Sequence, residues 1–300
     1  MSPKKSPDPR VLIGAYLAAQ CTAVLDAEVP ITAAAEARAA GRPTEPAVVV
    51  ELVHDTRVAL RRLRSTLRVF AAAFTEPERT LLLEEAGWYA ESLGALRDLD
   101  VIDERVRAGL AALPPALRVG DPEARLEADL TERRAAHLGA LAGVLETERY
   151  AGLRSMLTGW RERPPWARKA RKVDLRSRVK AADRKLTGRV ATAVTAVRAD
   201  DPEAAHLLHQ ARKTAKRHRY AAELAQPVLG AKTEALLVAR KQLQDELGLL
   251  QDAVVTVAYL ADLGRRLGNR AGRNVFSFGA VAALEQRAET DGMRRFADRG

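Results

Sequence analysis

With 300 residues and 47% apolar side chains, the chain has room for one or two domains and a substantial core, which excludes a disordered polyelectrolyte. A formal charge of +10 and a pI near 10.0 favour acidic partners such as nucleic acid, inorganic phosphate chains or anionic lipid. The single cysteine, Cys21, rules out an intrachain disulfide framework and fits a reducing, cytoplasmic compartment. The opening MSPKKSPDPR lacks an apolar run of signal-peptide length, and no stretch reads as a membrane span.

Residues 1–9 read as a disordered tail. Beyond them nearly every periodic segment has helical spacing, so the expected fold class is all-α. Helices are expected near 10–28, 45–74, 77–110 and 122–158, and again near 174–198, 202–226, 232–267 and 274–296. Thr75-Glu-Pro-Glu78 resembles a capping box, while Asp121-Pro122 and Asp201-Pro202 place aspartate before proline at helix entrances. Pro164 and Pro165 stop a helix inside a basic stretch, so residues 161–173 read as a linker between a first repeat, 10–160, and a second, 174–300.

The most informative pattern recurs in both halves. Residues 54–64 read HDTRVALRRLR and residues 209–219 read HQARKTAKRHR, so His54, Arg57, Arg61, Arg62 and Arg64 return as His209, Arg212, Lys216, Arg217 and Arg219. At 100° per residue, His54, Arg57, Arg61 and Arg64 share an arc roughly 80° wide, joined by Arg68. Val49, Leu52, Leu60, Leu63, Leu67, Phe70 and Phe74 fill a separate apolar face beside it, so the cationic stripe borders the core. Leu93-Gly-Ala-Leu-Arg-Asp98 and Leu247-Gly-Leu-Leu-Gln-Asp252 follow the respective histidines at nearly equal distance, an offset that suits duplication of a four-helix bundle. Gly94 and Gly248 sit inside expected helices, where glycine costs about 1 kcal/mol relative to alanine. Close helix approach is the expected compensation.

These residues resemble the CHAD family of histidine-containing α-helical domains. The likeness lies in His54-Asp-Thr-Arg57, Arg61-Arg62-Leu63-Arg64, the run from Leu93 to Val101, His209 with Arg212-Lys213, Lys216-Arg217, Arg219-Tyr220, Glu223, and Leu243-Gln244 with Leu247-Gly248. The resemblance implies two four-helix bundles related by pseudo-twofold symmetry around a basic cavity. It also implies binding of inorganic polyphosphate and targeting to polyphosphate granules. His218 departs from the family's apolar habit at the position matching Leu63.

Stripe and resemblance together nominate His54, Arg57, Arg61, Arg64, His209, Arg212, Lys216 and Arg219 as phosphate-binding residues. Arg62, Arg68, Arg97, Lys213, Arg217 and Lys241 are rim candidates, and Asp98 and Asp252 are expected to hold arginines in place. The five stripe residues from 54 to 68 extend about 21 Å, enough to meet several phosphates, and arginine's fork suits paired bonds to phosphate oxygens. His54 and His209 are expected to become cationic against bound phosphate, strengthening binding as pH falls through about 6.5. His137, His206 and His218 read as structural or surface residues.

Four other readings compete. Glu51 and Glu203 each precede a histidine by three residues, as in di-iron bundles, but the pairs are out of register and Arg57 and Arg61 would repel a cation, so neither metal nor cofactor is expected. Hydrolysis of the phosphate chain lacks a recognisable carboxylate cluster, glycine-rich phosphate loop or activated nucleophile. Nucleic-acid binding would use the same arginines, yet Tyr220 is the single aromatic within either ladder, and a membrane-surface role lacks exposed apolar neighbours. The sequence therefore points to a non-enzymatic polyphosphate binder.

Overall fold

Asp8 opens the first helix: its carboxylate accepts the Arg10 N–H at 3.0 Å, and Pro9 supplies a helical φ at the first position. The computed structural model describes residues 7–40, 46–268 and 274–299. Among them are eleven α-helices: α1 (Pro9–Asp26), α2 (Glu28–Ala39), α3 (Pro46–Val69), α4 (Glu78–Ser92), α5 (Gly94–Ala112), α6 (Pro122–Leu145), α7 (Glu148–Glu162), α8 (Leu175–Arg198), α9 (Ala204–Leu229), α10 (Lys232–Gly268) and α11 (Phe276–Arg299). The described residues contain no strand, only an isolated bridge between Phe74 and Trp166. The fold is all-α. Residues 1–6 of the expected tail, and residue 45 of the expected second helix, lie outside the described residues.

Helix boundaries depart from the expected eight where local chemistry intervenes. The expected helix at 122–158 divides because the Thr147 hydroxyl accepts the Tyr150 N–H at 3.2 Å and starts α7 afresh. The one at 77–110 divides at Leu93, beside Gly94. Helix α2 falls outside the expected eight; among its described side chains Ile31 and Ala35 are the buried ones, too few to mark an apolar face in an alanine-rich sequence. The capping box at Thr75 does not form: the Thr75 hydroxyl donates to the Pro165 carbonyl at 3.3 Å, and Glu76 accepts the Thr80 N–H at 3.2 Å in its place. Gly230, at φ +85°, adopts the left-handed conformation that ends α9.

Two compact units gather these helices, each drawing on both sequence halves. The first comprises Met1–Gly94, Leu138–Gly188 and Lys213–Leu243; the second comprises Ala95–His137, Arg189–Arg212 and Gln244–Gly300. In the first, α1 packs on α3 and α7, and α4 packs on the same two helices, closing a four-helix bundle with α2 against α1 and α3. Ile13, Leu17, Leu60, Leu63, Leu67, Leu82, Tyr89 and Tyr150 fill its interior. Each leucine or isoleucine among them contributes about 1.5–3 kcal/mol on burial. Cys21 is buried there too, and burial pushes its thiol pKa up to about 12.

In the second unit a separate core joins Leu99, Ile102, Val106 and Leu110 of α5 to Leu126 and Leu130 of α6, Tyr259 and Leu263 of α10, and Phe278 and Val281 of α11. Two stretches, Pro9–Ala37 and Thr233–Gly268, are long and apolar enough to cross a bilayer by length and composition alone. Both supply core residues, Ile13 and Leu17 from one and Tyr259 and Leu263 from the other.

His218 lies in the first unit at 1% exposure, as buried as Leu63, its counterpart in the other ladder. Burial, the largest effect, holds its pKa below the ordinary value; Arg240 acts in the same direction, and Asp183, 3.4 Å away, opposes. Below about pH 6.5 an unfolded chain therefore takes up a proton that the folded histidine resists, so stability falls as pH falls through that window. His218→Leu should reduce the Tm loss between pH 6.5 and 5. An unchanged acid-side loss in that variant would show that His218 does not contribute to it.

Candidate functional site

The apolar side of α3 fixes where its cations go. Leu60, Leu63 and Leu67 are fully buried, which leaves His54, Arg57, Arg61, Arg62 and Arg64 half-buried along the edge of the core, with Arg68 exposed at the end of the helix. Hydroxyls on the buried side close onto the helix itself: Thr56 donates to the Leu52 carbonyl at 2.7 Å, Ser65 to Arg61 at 2.7 Å and Thr66 to Arg62 at 3.0 Å. These buried hydroxyls are therefore satisfied without using the arginine side chains.

The later part of α9, from Lys213, belongs to the same unit and meets this stripe through side chains. Arg62 lies 3.1 Å from the Glu223 carboxylate, which also accepts the Tyr16 hydroxyl at 3.2 Å. Burial and the Glu223 charge raise the Tyr16 pKa far above neutrality, so the hydroxyl stays a donor. Arg62 and Arg219 both stand over the Tyr220 ring, 5.5 and 4.8 Å from its centre, and Tyr220 is only 2% exposed. In this unit Lys216, Arg217 and Arg219 are half-buried, while Lys213 and Lys241 are exposed.

Charge is crowded along this edge. Burial lowers the Arg64 pKa, with the carboxylate of Glu91 opposing. Arg68 is lowered to about 10, first by desolvation and then by repulsion from Arg64 and Arg217, although its outer side chain meets solvent. The Nε groups of Arg61, Arg64 and Arg219 are buried without a hydrogen-bond partner. Arg64 and Arg68 remain cationic at neutral pH, and the crowding favours an arriving anion.

Three glycines lie beside guanidiniums, and at one of them, Gly87, the space is tight. Arg57 donates to the Gly94 carbonyl at 2.8 Å, and a Cβ at Gly94 would lie 3.9 Å from Arg57 Nη2. In the second unit a Cβ at Gly248 would lie 3.4 Å from Arg212 Nη2. The neighbour of each motif glycine is thus an arginine side chain, and close helix approach is not the compensation. Gly87 of α4 does the same for Arg64, where a Cβ would lie 3.0 Å from Nη2.

The second unit holds the remaining candidates. Asp252 is 3.8 Å from Arg212, and His209 borders a small cavity of about 10 Å³ with Leu247, Leu250 and Glu289. Arg97 lies 3.7 Å from Asp100, whose carboxylate also approaches Arg134 at 3.6 Å; burial nonetheless raises the Asp100 pKa. Asp98 is exposed. Among the described residues no three histidine, cysteine or acidic side chains gather as a metal site would require. Tyr16 and Gly87 were invisible as site residues in the sequence, since Tyr16 is 207 positions from Glu223 and neither falls in a repeated motif.

Comparison with known proteins places this architecture. The CHAD domain family model matches residues 32–261. Two curated relatives from Mycobacterium tuberculosis, uncharacterized proteins Rv2226 and MT2285, are each 30% identical over 247 residues, covering 78% of this chain and 44% of their own. The chain thus spans less than half the length of these relatives. Among solved structures, PptA from Streptomyces chartreusis superposes with a TM-score of 0.71 at 22% identity, covering 98% of this chain and 99% of that one. The CHAD domain from the plant Ricinus communis superposes with a TM-score of 0.69 at 26% identity, covering 96% and 90%. By its family-model match and its helical architecture, the chain belongs to the CHAD domain family.

Proposed function

We propose that this protein binds inorganic polyphosphate without turning it over, using the arginines of α3 and the basic residues that α9 brings to them. The observation that carries this reading is the cationic crowding at Arg64 and Arg68, with Arg217 adding to it. Holding desolvated like charges together opposes folding unless something else compensates, and a polyanion would turn that repulsion into attraction. Membership of the CHAD family supports the same ligand, given what the family resemblance implies.

Nucleic acid offers the same phosphates, but the aromatic residue of the ladders is unsuited to its bases. Tyr220 is only 2% exposed and lies against Arg62 and Arg219, so its ring is not open to a base. In competition binding, long polyphosphate should displace DNA completely while DNA fails to displace long polyphosphate; the reverse order would favour nucleic acid. Incubation with magnesium or manganese should leave chain length unchanged, and steady shortening would establish an enzyme. In cells the proposal places the protein in the cytoplasm on polyphosphate granules, which a fluorescent fusion would report.

Changing Arg64 and Arg68 together to glutamine should weaken polyphosphate binding by about 10- to 100-fold, given about 1.5–3 kcal/mol for a charge-assisted hydrogen bond and a discount for the exposure of Arg68. The same variant should have a ligand-free Tm at or above that of the parent, because it removes two cations whose pKa values folding depresses. Calorimetry and thermal melts check both; undiminished affinity would remove α3 from the site.

Gly87→Ala separates position from charge. The new Cβ forces the Arg64 guanidinium to move while the helix gains about 1 kcal/mol of propensity. Tm should rise and polyphosphate affinity fall severalfold. Gly139→Ala, where beyond its own helical turn no atom of the described residues lies within 4 Å of the new Cβ, should raise Tm and leave affinity alone.

A further inference from the structure

Residues 161–185 contain eleven lysines and arginines against three acidic residues, so this short stretch carries +8 of the chain's +10. The three acids are already engaged. Asp174 caps α8 by accepting the N–H groups of Arg176 and Ser177 at 3.0 and 3.2 Å, Asp183 pairs with Arg240 at 2.7 Å, and Glu162 lies 3.9 Å from Arg161. The bases of this stretch are mostly exposed, including Arg168, Lys169, Arg171, Lys172, Arg176 and Arg178.

These side chains line two adjoining grooves. One, of about 450 Å³, runs between Ala72 and Lys169, Lys172 and Arg178; the other, of about 900 Å³, includes Arg171, Lys172 and Arg176. Lys172 and Asp174 border both, and Asp8 lines the second, where it is paired with Arg10. Ala72 is four residues beyond Arg68, about 6–8 Å of helical chain, so the first groove begins where the α3 stripe ends. No bulky apolar side chain in residues 161–185 is exposed, and the tract presents no exposed aromatic ring, so it offers neither membrane anchors nor base-stacking platforms.

We propose that Lys169, Lys172 and Arg178 form an outer docking tract that receives the part of a long polyphosphate chain extending past Arg68, making the protein selective for long chains. This rests on the reading of α3 as a polyphosphate site. Bare phosphates need only charge and donors, which this tract supplies.

The test compares the parent with Lys169→Gln/Lys172→Gln/Arg178→Gln, whose three exposed substitutions should leave Tm unchanged. Binding is measured by calorimetry to a defined short polyphosphate and to a long one, at several salt concentrations. Long-chain affinity should fall at least about tenfold, and its slope of log K against log salt should shrink by about 2, from roughly 0.7 per phosphate contact on a single-stranded polyanion. Short-chain affinity should stay within about twofold. Equal losses for both lengths, or none for either, would overturn the tract while leaving the α3 reading intact. A larger loss for duplex DNA or for vesicles of anionic lipid than for long polyphosphate would overturn it in favour of that partner. Failure of the parent protein to bind either polyphosphate would instead overturn the α3 reading on which the tract depends.

Discussion

Repulsion between guanidiniums held at the edge of a hydrophobic core is the constraint around which this protein is organised. The core side of α3 leaves little choice: with Leu60, Leu63 and Leu67 fully buried, helical geometry sends Arg57, Arg61 and Arg64 to the same border. Rotating the helix to spread those charges into water would expose the leucines. The apolar face therefore maintains an electrostatic arrangement that the charges alone would not adopt.

The surrounding residues moderate the crowding without cancelling it. Glu223 meets Arg62 and is itself held by Tyr16, while Tyr220 supplies a ring to Arg62 and Arg219. Glycines flank the guanidiniums, with Arg57 beside Gly94 and Arg64 close against Gly87 in one unit and Arg212 beside Gly248 in the other. Recurrence of an arginine beside the Leu-Gly glycine in both units gives the repeated sequence motif a physical meaning. At Gly94 and Gly248 the arginine lies at ordinary contact distance from where a Cβ would stand, whereas at Gly87 the fit is tight.

Much of this was legible in the sequence because it depends on periodicity. The all-α class, the buried leucines of α3, the ends of α10 and the half-buried ladder all follow from spacing at 3.6 residues. Helix breaks at Leu93 and Thr147 depended on glycine and a local hydroxyl cap, which a long apolar repeat conceals. The Tyr16–Glu223 bond joins helices far apart in the chain, and no local pattern announces it. The crowding at Arg68 likewise needed three dimensions, since Arg217 is 149 positions away in sequence.

The most direct measurement is NMR of the arginine Nε–H groups during titration with polyphosphate. On the present account, the signals of Arg61, Arg64 and Arg68 shift together and become protected from exchange with water as the anion fills the edge of α3. Saturable binding of polyphosphate with all three signals unmoved would contradict it.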